Sequence, residues 1–485
     1  MKTFYFILTL LLSQSTTVYA QIKLPKVISS NMVLQRNSEV NIWGGWASEN
    51  EEIILNASWQ DTTLKTKANK NGEWRIKIKT TDSKQPQTLI LNGKTSEIKL
   101  ENILLGEVWI CSGQSNMEHP PIKGFSAQPT YGALQNITKS RNPNLRLFTL
   151  NKKATTAPLK DVESYVSWSS ASPETVADFS AVGYYFGQQL QETLDVPVGL
   201  IFTARGGSTV QAWMSKEVVE KFDTVNPTEL NEDNNPQKYP TGLFNAMISP
   251  IIPYTIKGAI WYQGESNRHE PERYSTLFTE MVKNWRDYWK LGDFPFYYAQ
   301  ITPFSYGKNK DIYEAPGNTA FLREAQLTAL ESIPNSAMVV TLDAGDENWI
   351  HPPKKKQVAD RLLYCALNKT YDFKTIDSDS PMYDSHKVID ATIELKFKHA
   401  ENGLYAYDGL HDFEIAGADK IFYPAKAEIV NRFSVVVQNA KVPNPVAVRY
   451  AWKNWIMGSL YDASLLPAPS FRTDNWTDAT HVSEN

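Results

Sequence analysis

The rhythm of apolar and polar positions changes twice along the chain. Between residues 21 and about 104 it alternates in short runs: Val40-Asn41-Ile42-Trp43, Ile53 to Ala57, Trp74-Arg75-Ile76-Lys77-Ile78 and Thr88-Leu89-Ile90-Leu91. Alternation with a period of two marks strands that bury one face. Asn71-Gly72 and Asn92-Gly93 interrupt the runs, and Asn-Gly favours hairpins because both residues tolerate positive φ. The region reads as a β-sandwich, with a hairpin at Asn71-Gly72.

From about 105, fully apolar runs alternate with amphipathic ones. Val108-Trp109-Ile110, Val196 to Phe202, Lys257 to Tyr262, Phe296 to Ile301 and Ala337 to Leu342 predict buried strands. Ser180 is placed to cap a helix carrying Val182, Tyr185, Phe186 and Leu190 on one face. Leu277, Phe278, Met281, Val282, Trp285 and Trp289 recur at helical spacing, and Val358, Leu362 and Cys365 mark a last helix. Such alternation predicts an α/β fold: a parallel sheet with helices on both faces. Strand-like alternation returns in Thr392 to Phe397, Ser434 to Gln438 and Val446 to Tyr450. The expected division is a leader at 1–20, a β-sandwich at 21–104, an α/β domain at 105–375 and a β-rich domain at 385–475. Two irregular stretches, about 216–240 and 302–319, are long enough to be binding lids.

Lys2, the apolar run Phe4 to Leu12 and the small residues up to Ala20 form a secretory signal peptide pattern. Cleavage near Ala20 and a secreted or periplasmic protein are expected. That run is too short to span a bilayer and none later is long enough, so no membrane insertion is expected. A net charge of −4 gives no footprint for nucleic acid. Cys111 and Cys365 read as two buried thiols, although sequence does not settle whether they pair. The scattered histidines show no metal-ligand spacing. No metal or other cofactor is expected, and nothing indicates an oligomeric state.

Four segments begin where an apolar strand ends: Gly113-Gln114-Ser115-Asn116, Ala204 to Thr209, Gln263 to Asn267, and Asp343 to His351. In a parallel sheet they meet at the carboxyl edge, where ligands bind. Together they supply a serine, a glycine pair with backbone amides, carboxamides and a histidine before a helix. That is the inventory for acyl transfer: a nucleophile, a base and oxyanion donors. Alone, Ser115 is equally a turn or N-cap serine, and His351 a helix-terminal histidine.

The block Gly106 to Met117 (Gly-Glu-Val-Trp-Ile-Cys-Ser-Gly-Gln-Ser-Asn-Met) resembles the nucleophile block of the sialate O-acetylesterase family of SGNH hydrolases. Trp261 to Asn267 and Ile350-His351-Pro352 are similar to its later blocks. So are the flanking Asn31 to Arg36, Val448 to Trp452 and Phe471 to Asp474. The resemblance implies an SGNH-type three-layer α/β/α core flanked by β-sandwich-like regions. It implies Ser115 as nucleophile and His351 as base, then acid. It also implies an oxyanion hole from the Ser115 and Gly207 amides and the Gln263 side chain. The family pattern sets an aspartate three or two residues before the histidine, where this chain has Asn348 and Trp349. Either Asp346 completes a triad or a main-chain carbonyl near Asn348 orients a Ser-His dyad. Arg205, Trp213, Glu265, Asn267 and Trp349 are expected to bind substrate, with Glu265 orienting its neighbours. Arg205, Arg268 and Arg323 are candidates for a sialic acid carboxylate.

The expected partner is an acetylated glycan, and the expected activity is hydrolysis of acetyl esters on sugars, O-acetylated sialic acids first. Acetylated xylan or another hemicellulose is the alternative, with Trp213 and Trp349 as aromatic walls. A carbohydrate-binding protein with a decayed site is a third reading, to which the missing aspartate lends weight and the intact Ser115, Gly207, Gln263 and His351 do not.

Overall fold

The N-terminal strands sort into two layers by their alternating burial. They are β1 (Val33–Gln35), β2 (Glu39–Gly44), β3 (Glu52–Ala57), β4 (Leu64–Lys67), β5 (Trp74–Lys79), β6 (Gln87–Asn92) and β7 (Glu97–Gly113) in a computed structural model. The structure describes residues 21–482 except 123, 125–126, 164, 227–228, 232–233 and 307–316. The leader-like segment 1–20 and most of the expected lid at 302–319 lie outside the described residues. β2 pairs with β5, and β3 pairs with β4 and β6, all antiparallel. Val40, Ile42, Ile76 and Ile78 from one layer share a core with Ile53, Leu55, Leu89 and Leu91 from the other.

Asn92-Gly93 closes a hairpin, with Asn92 opposite Glu97. Asn71-Gly72 does not, contrary to expectation, because β4 and β5 belong to different sheets. Asn69 accepts from the amides of Asn71 and Glu73 through Oδ1, and this side-chain turn carries the chain from one layer to the other.

The next strands are β8 (Asn142–Thr149), β9 (Ser169–Ala171), β10 (Val198–Ala204), β11 (Gly258–Tyr262), β12 (Phe296–Ala299) and β13 (Ser336–Val339). The helices are α1 (Ser115–Glu118), α2 (Ala133–Thr138), α3 (Pro173–Val176), α4 (Ala181–Leu194), α5 (Lys216–Val219), α6 (Pro271–Trp289), α7 (Ala320–Ser332) and α8 (Lys355–Lys369). The sheet runs β13-β12-β11-β7-β10-β8-β9, parallel except at β9. β7 joins both regions: its first half pairs antiparallel with β6, and its second half is the centre of the parallel sheet.

Alternate residues of β7 enter separate cores. Trp109 and Cys111 pack with residues of α4 and α8, Val108 and Ile110 with residues of α6. Burial on both faces is why these strands read as unbroken apolar runs. The Ser180 hydroxyl accepts from the Gly183 amide at 2.9 Å and caps α4, a contact worth roughly 1 kcal/mol. Cys111 and Cys365 are buried free thiols.

After α8 an antiparallel sheet includes Thr392–Lys398, Ser434–Gln438 and Ala447–Tyr450, where the alternation places them. Buried Arg323 ties it to α7, donating to Ser470 Oγ at 3.0 Å and to the carbonyls of Ala451 and Lys453 at 3.2 and 2.6 Å. The 216–240 stretch is not wholly irregular, containing α5 and a 3₁₀ turn, Pro236–Lys238. Among the described residues no helix is long and apolar enough to cross a membrane.

Candidate active site

The end of β7 bends because Gly113 allows it. Its φ is +137°, and a Cβ there would lie 2.2 Å from the Tyr262 carbonyl oxygen, so any side chain would drive β11 away. The chain turns through Gln114, whose amide donates to Tyr262 O at 2.9 Å. Gln114 Oε1 accepts from the amides of Gly264 and Ser266 at 3.2 and 3.3 Å. Ser115 then opens α1, buried at the carboxyl edge of the sheet.

Asn116 connects this turn to two other strand ends. Its Nδ2 donates to Glu265 Oε1 at 2.6 Å and to the Ile350 carbonyl at 3.1 Å. Its Oδ1 accepts from the buried Lys355 ammonium at 2.5 Å. The residue after Ser115 is thus bonded to the residue before His351. His119 adds a second link: its amide donates to Ser115 O at 2.8 Å, and its ring lies 6.1 Å from that of His351. Gln128 Oε1 accepts from the His351 amide at 3.0 Å.

Burial sets the charge state of this cluster. It pulls the Lys355 ammonium down to about 7, against the opposing attraction of Glu265. It pushes the Glu265 carboxyl above its ordinary value, despite hydrogen bonds that favour the charged form. His351 is lowered to about 4 by burial and then by the Lys355 charge. His119 is lowered to about 2 by burial, then by Lys355 and His351. Both imidazoles are neutral at pH 7, so His351 can accept a proton.

Glu118 fixes the glycine pair against α1, accepting from the Gly206 amide and the Lys152 ammonium. The Arg205 amide donates to Gly113 O at 3.1 Å. Among the described residues the Ser115 and Gly207 amides donate to no protein acceptor, which leaves both available to a substrate oxygen.

The structure treats the other expected residues differently. Gln263 is fully buried, and Nε2 donates to Ser208 O at 3.1 Å and Asn267 Oδ1 at 2.8 Å. Its Oε1 accepts from Tyr274 at 2.9 Å, so the carboxamide ties two strand ends together. Asn267 is buried in the same network, donating to Gln211 and Glu270, and presents no surface to a substrate. Trp213 is not a cleft wall: it is 0% exposed, 5.8 Å from Trp261, and donates to Ser208 Oγ. Arg323 is spent on the C-terminal sheet. Glu265 is buried and orients Asn116, whereas Trp349 stays 36% exposed. Asp346 Oδ1 accepts from the amides of Asn348 and Trp349 at 2.9 and 3.1 Å. Asp343 forms a bidentate pair with Arg361 at 2.7 and 2.6 Å. Among the described residues no group of His, Cys, Asp and Glu is arranged to hold a metal ion.

Residues 105–362, spanning all four strand-end segments, match the family described as carbohydrate esterase, sialic acid-specific acetylesterase. The chain belongs to this family. A sialate O-acetylesterase of Mus musculus is 26% identical over 92% of this chain and 93% of its own length. One of Homo sapiens is 26% identical over 92% and 91%. A solved carbohydrate acetylesterase from Xanthomonas citri superposes with a TM-score of 0.85 at 30% identity, covering 94% of this chain and 100% of that one. As a member of the acetylesterase family, the protein is a serine ester hydrolase.

Sequence reasoning missed three residues of this acetylesterase site: Glu118, His119 and Lys355. Glu118 and His119 lie three and four positions after Ser115, and Lys355 lies four after His351. For Glu118 and His119 that offset, one turn of α1, was the available signal; His351 precedes α8, so no helical face links it to Lys355.

Proposed function

We propose that the protein is a carbohydrate O-acetylesterase with Ser115 as nucleophile and His351 as its base, acting on O-acetylated sialic acids. The observation that carries this reading is Asn116, bonded to Glu265, to Lys355 and to the carbonyl preceding His351. His351 takes the Ser115 proton as Oγ attacks the acetyl carbonyl, and the Ser115 and Gly207 amides receive the oxyanion. Each such donor is worth about 3 to 4 kcal/mol in the transition state. Collapse expels the sugar alkoxide, which takes the proton from His351. Water, deprotonated by His351, then attacks the acetyl-enzyme; Ser115 Oγ leaves, takes the proton back from His351, and acetate is released.

The pair is read as a dyad. The side chains of Asp346 and Asp343 are engaged with the 346–349 turn and with Arg361, so the loop around Ile350 orients the imidazole. The core is read as the three-layer SGNH arrangement, and segment 1–20 as an export signal. Arg205, beside Gly207, and Arg268, whose Nη1 donates to Glu265 O at 3.2 Å, are the cations offered to a sialic acid carboxylate. One observation favours acetylated plant polysaccharide instead: Trp349, two residues from His351, offers an exposed indole to a sugar face.

Acetate release from O-acetylated sialoglycoprotein and acetylated xylan, with Ser115→Ala alongside, tests both readings. Release from the sialic substrate that vanishes in the variant supports the proposal. Release from xylan alone keeps the mechanism and moves the substrate; release unaffected by Ser115→Ala overturns the mechanism.

A further inference from the structure

A concavity of about 740 Å³ opens between the N-terminal strands and the 159–161 and 249–253 segments. Its volume suits a small ligand or a short stretch of a polymer. None of the segments carrying Ser115, Gly207, Gln263 or His351 lines it. Pro253, which does, leads into β11 from the end opposite to that where Gln263 emerges.

Three indoles shape this cleft: Trp43, Trp46 and Trp74. Trp46 is 56% exposed and sits at φ +62°, a conformation bulky residues rarely adopt. The Lys23 ammonium lies 5.4 Å from its ring centroid, a cation–π contact that steadies the indole. Trp74 is buried, yet its indole N–H has no hydrogen-bond partner, where buried indoles normally find one. Gly44 makes room against that ring, since a Cβ there would lie 2.6 Å from it, and a Cβ on Gly45 would meet open space. Asn69, Asn71 and Arg75 add polar lining, and all three are exposed.

We propose that this cleft is a glycan-binding site separate from the esterase site. A pyranose has apolar ring faces and a rim of hydroxyls, which matches indole surface bordered by carboxamides and charged groups. A purely apolar ligand would leave those polar groups unmet. The sugar stacks on Trp46, and Arg75 is placed for a hydroxyl or a carboxylate. The site would hold a glycan chain while esters elsewhere on it reach Ser115.

The test is a binding titration on the full chain carrying Ser115→Ala, so that no ester is cleaved. The probes are α2,8-linked sialic acid oligomers and neutral xylo-oligosaccharides. Adding Trp46→Ala should weaken binding of at least one probe by about tenfold or more. Trp46→Gly, which accepts the positive φ without strain, should do the same. In the wild-type background neither change should alter hydrolysis of p-nitrophenyl acetate. Which probe depends on Trp46 identifies the glycan as acidic or neutral. Binding of both that is indifferent to Trp46, or binding of neither, overturns the proposal. Failure of the esterase reading would appear separately, as p-nitrophenyl acetate hydrolysis indifferent to Ser115→Ala.

Discussion

Lys355 and Asn116 meet inside the protein through one hydrogen bond, ammonium to carboxamide oxygen, at 2.5 Å. A buried cation here has a neutral hydrogen-bond acceptor, with the buried carboxyl of Glu265 on the far side of the same amide. Asn116 therefore joins Ser115 to His351 mechanically, and Lys355 joins them electrically.

Asn116→Ala should misalign the site and destabilise the fold together. It strands groups on Glu265, Lys355 and Ile350, at about 1 to 3 kcal/mol for each buried group left unsatisfied. A shift of the serine relative to the histidine by about 1 Å costs about 10²-fold in rate. Thermal unfolding and kcat on p-nitrophenyl acetate should both fall, with KM nearly unchanged. A kcat equal to wild type would remove Asn116 from the alignment.

The rate should hold to unusually low pH. His351 is lowered to about 4, so it stays an unprotonated base well below the ordinary 6.5. The acid limb of kcat/KM is expected near 4. Lys355→Met removes the second of the two causes, burial being the first, so the limb should move upward but stop short of 6.5. A wild-type limb at the ordinary histidine value would contradict this.

Stability should weaken as pH falls through the same range. In the folded chain His119 and His351 are lowered to about 2 and about 4. The unfolded chain therefore binds more protons from the ordinary 6.5 downward, and acid favours unfolding. The slope is up to about 1.4 kcal/mol per pH unit for each histidine. The stability given up persists below both folded values. Urea midpoints between about pH 7 and about pH 5 should fall, and His119→Asn should remove about half of that dependence.

Gln263→Leu separates a strut from an oxyanion donor. A strut leaves Ser208 O, Asn267 and Tyr274 unpaired, so the melting temperature should drop by several degrees along with the rate. A donor would cost about 10² to 10³ in kcat with the melting temperature unchanged. The bonds to Ser208, Asn267 and Tyr274 favour the first outcome.

The parallel strands were legible because burial on both faces leaves unbroken apolar runs, and α4 because Ser180 precedes its apolar stripe. The serine turn, glycine loop and histidine loop were legible as strand ends. What escaped depended on the third dimension. Asn-Gly at 71–72 favours a tight turn but does not say whether the next strand pairs with the last. Trp213, in a loop, reads the same whether it lines a cleft or fills a core, and Trp261 and Trp285 claim it. Lys355 stands in a run of three lysines, Lys354 to Lys356, which in sequence are indistinguishable, yet it is buried while Lys356 pairs with Asp360 at the surface.

β7 makes the front of this protein hard to exchange. Ile103 is still paired with Gln87 in one ladder when, four residues on, Glu107 is paired with Val198 in the other. A recombination event replacing the leading strands would have to splice within a single rod of backbone whose far end is Gly113. Load placed on those strands passes along that rod to the nucleophile turn. The N-terminal strands and the serine must be engineered as one piece.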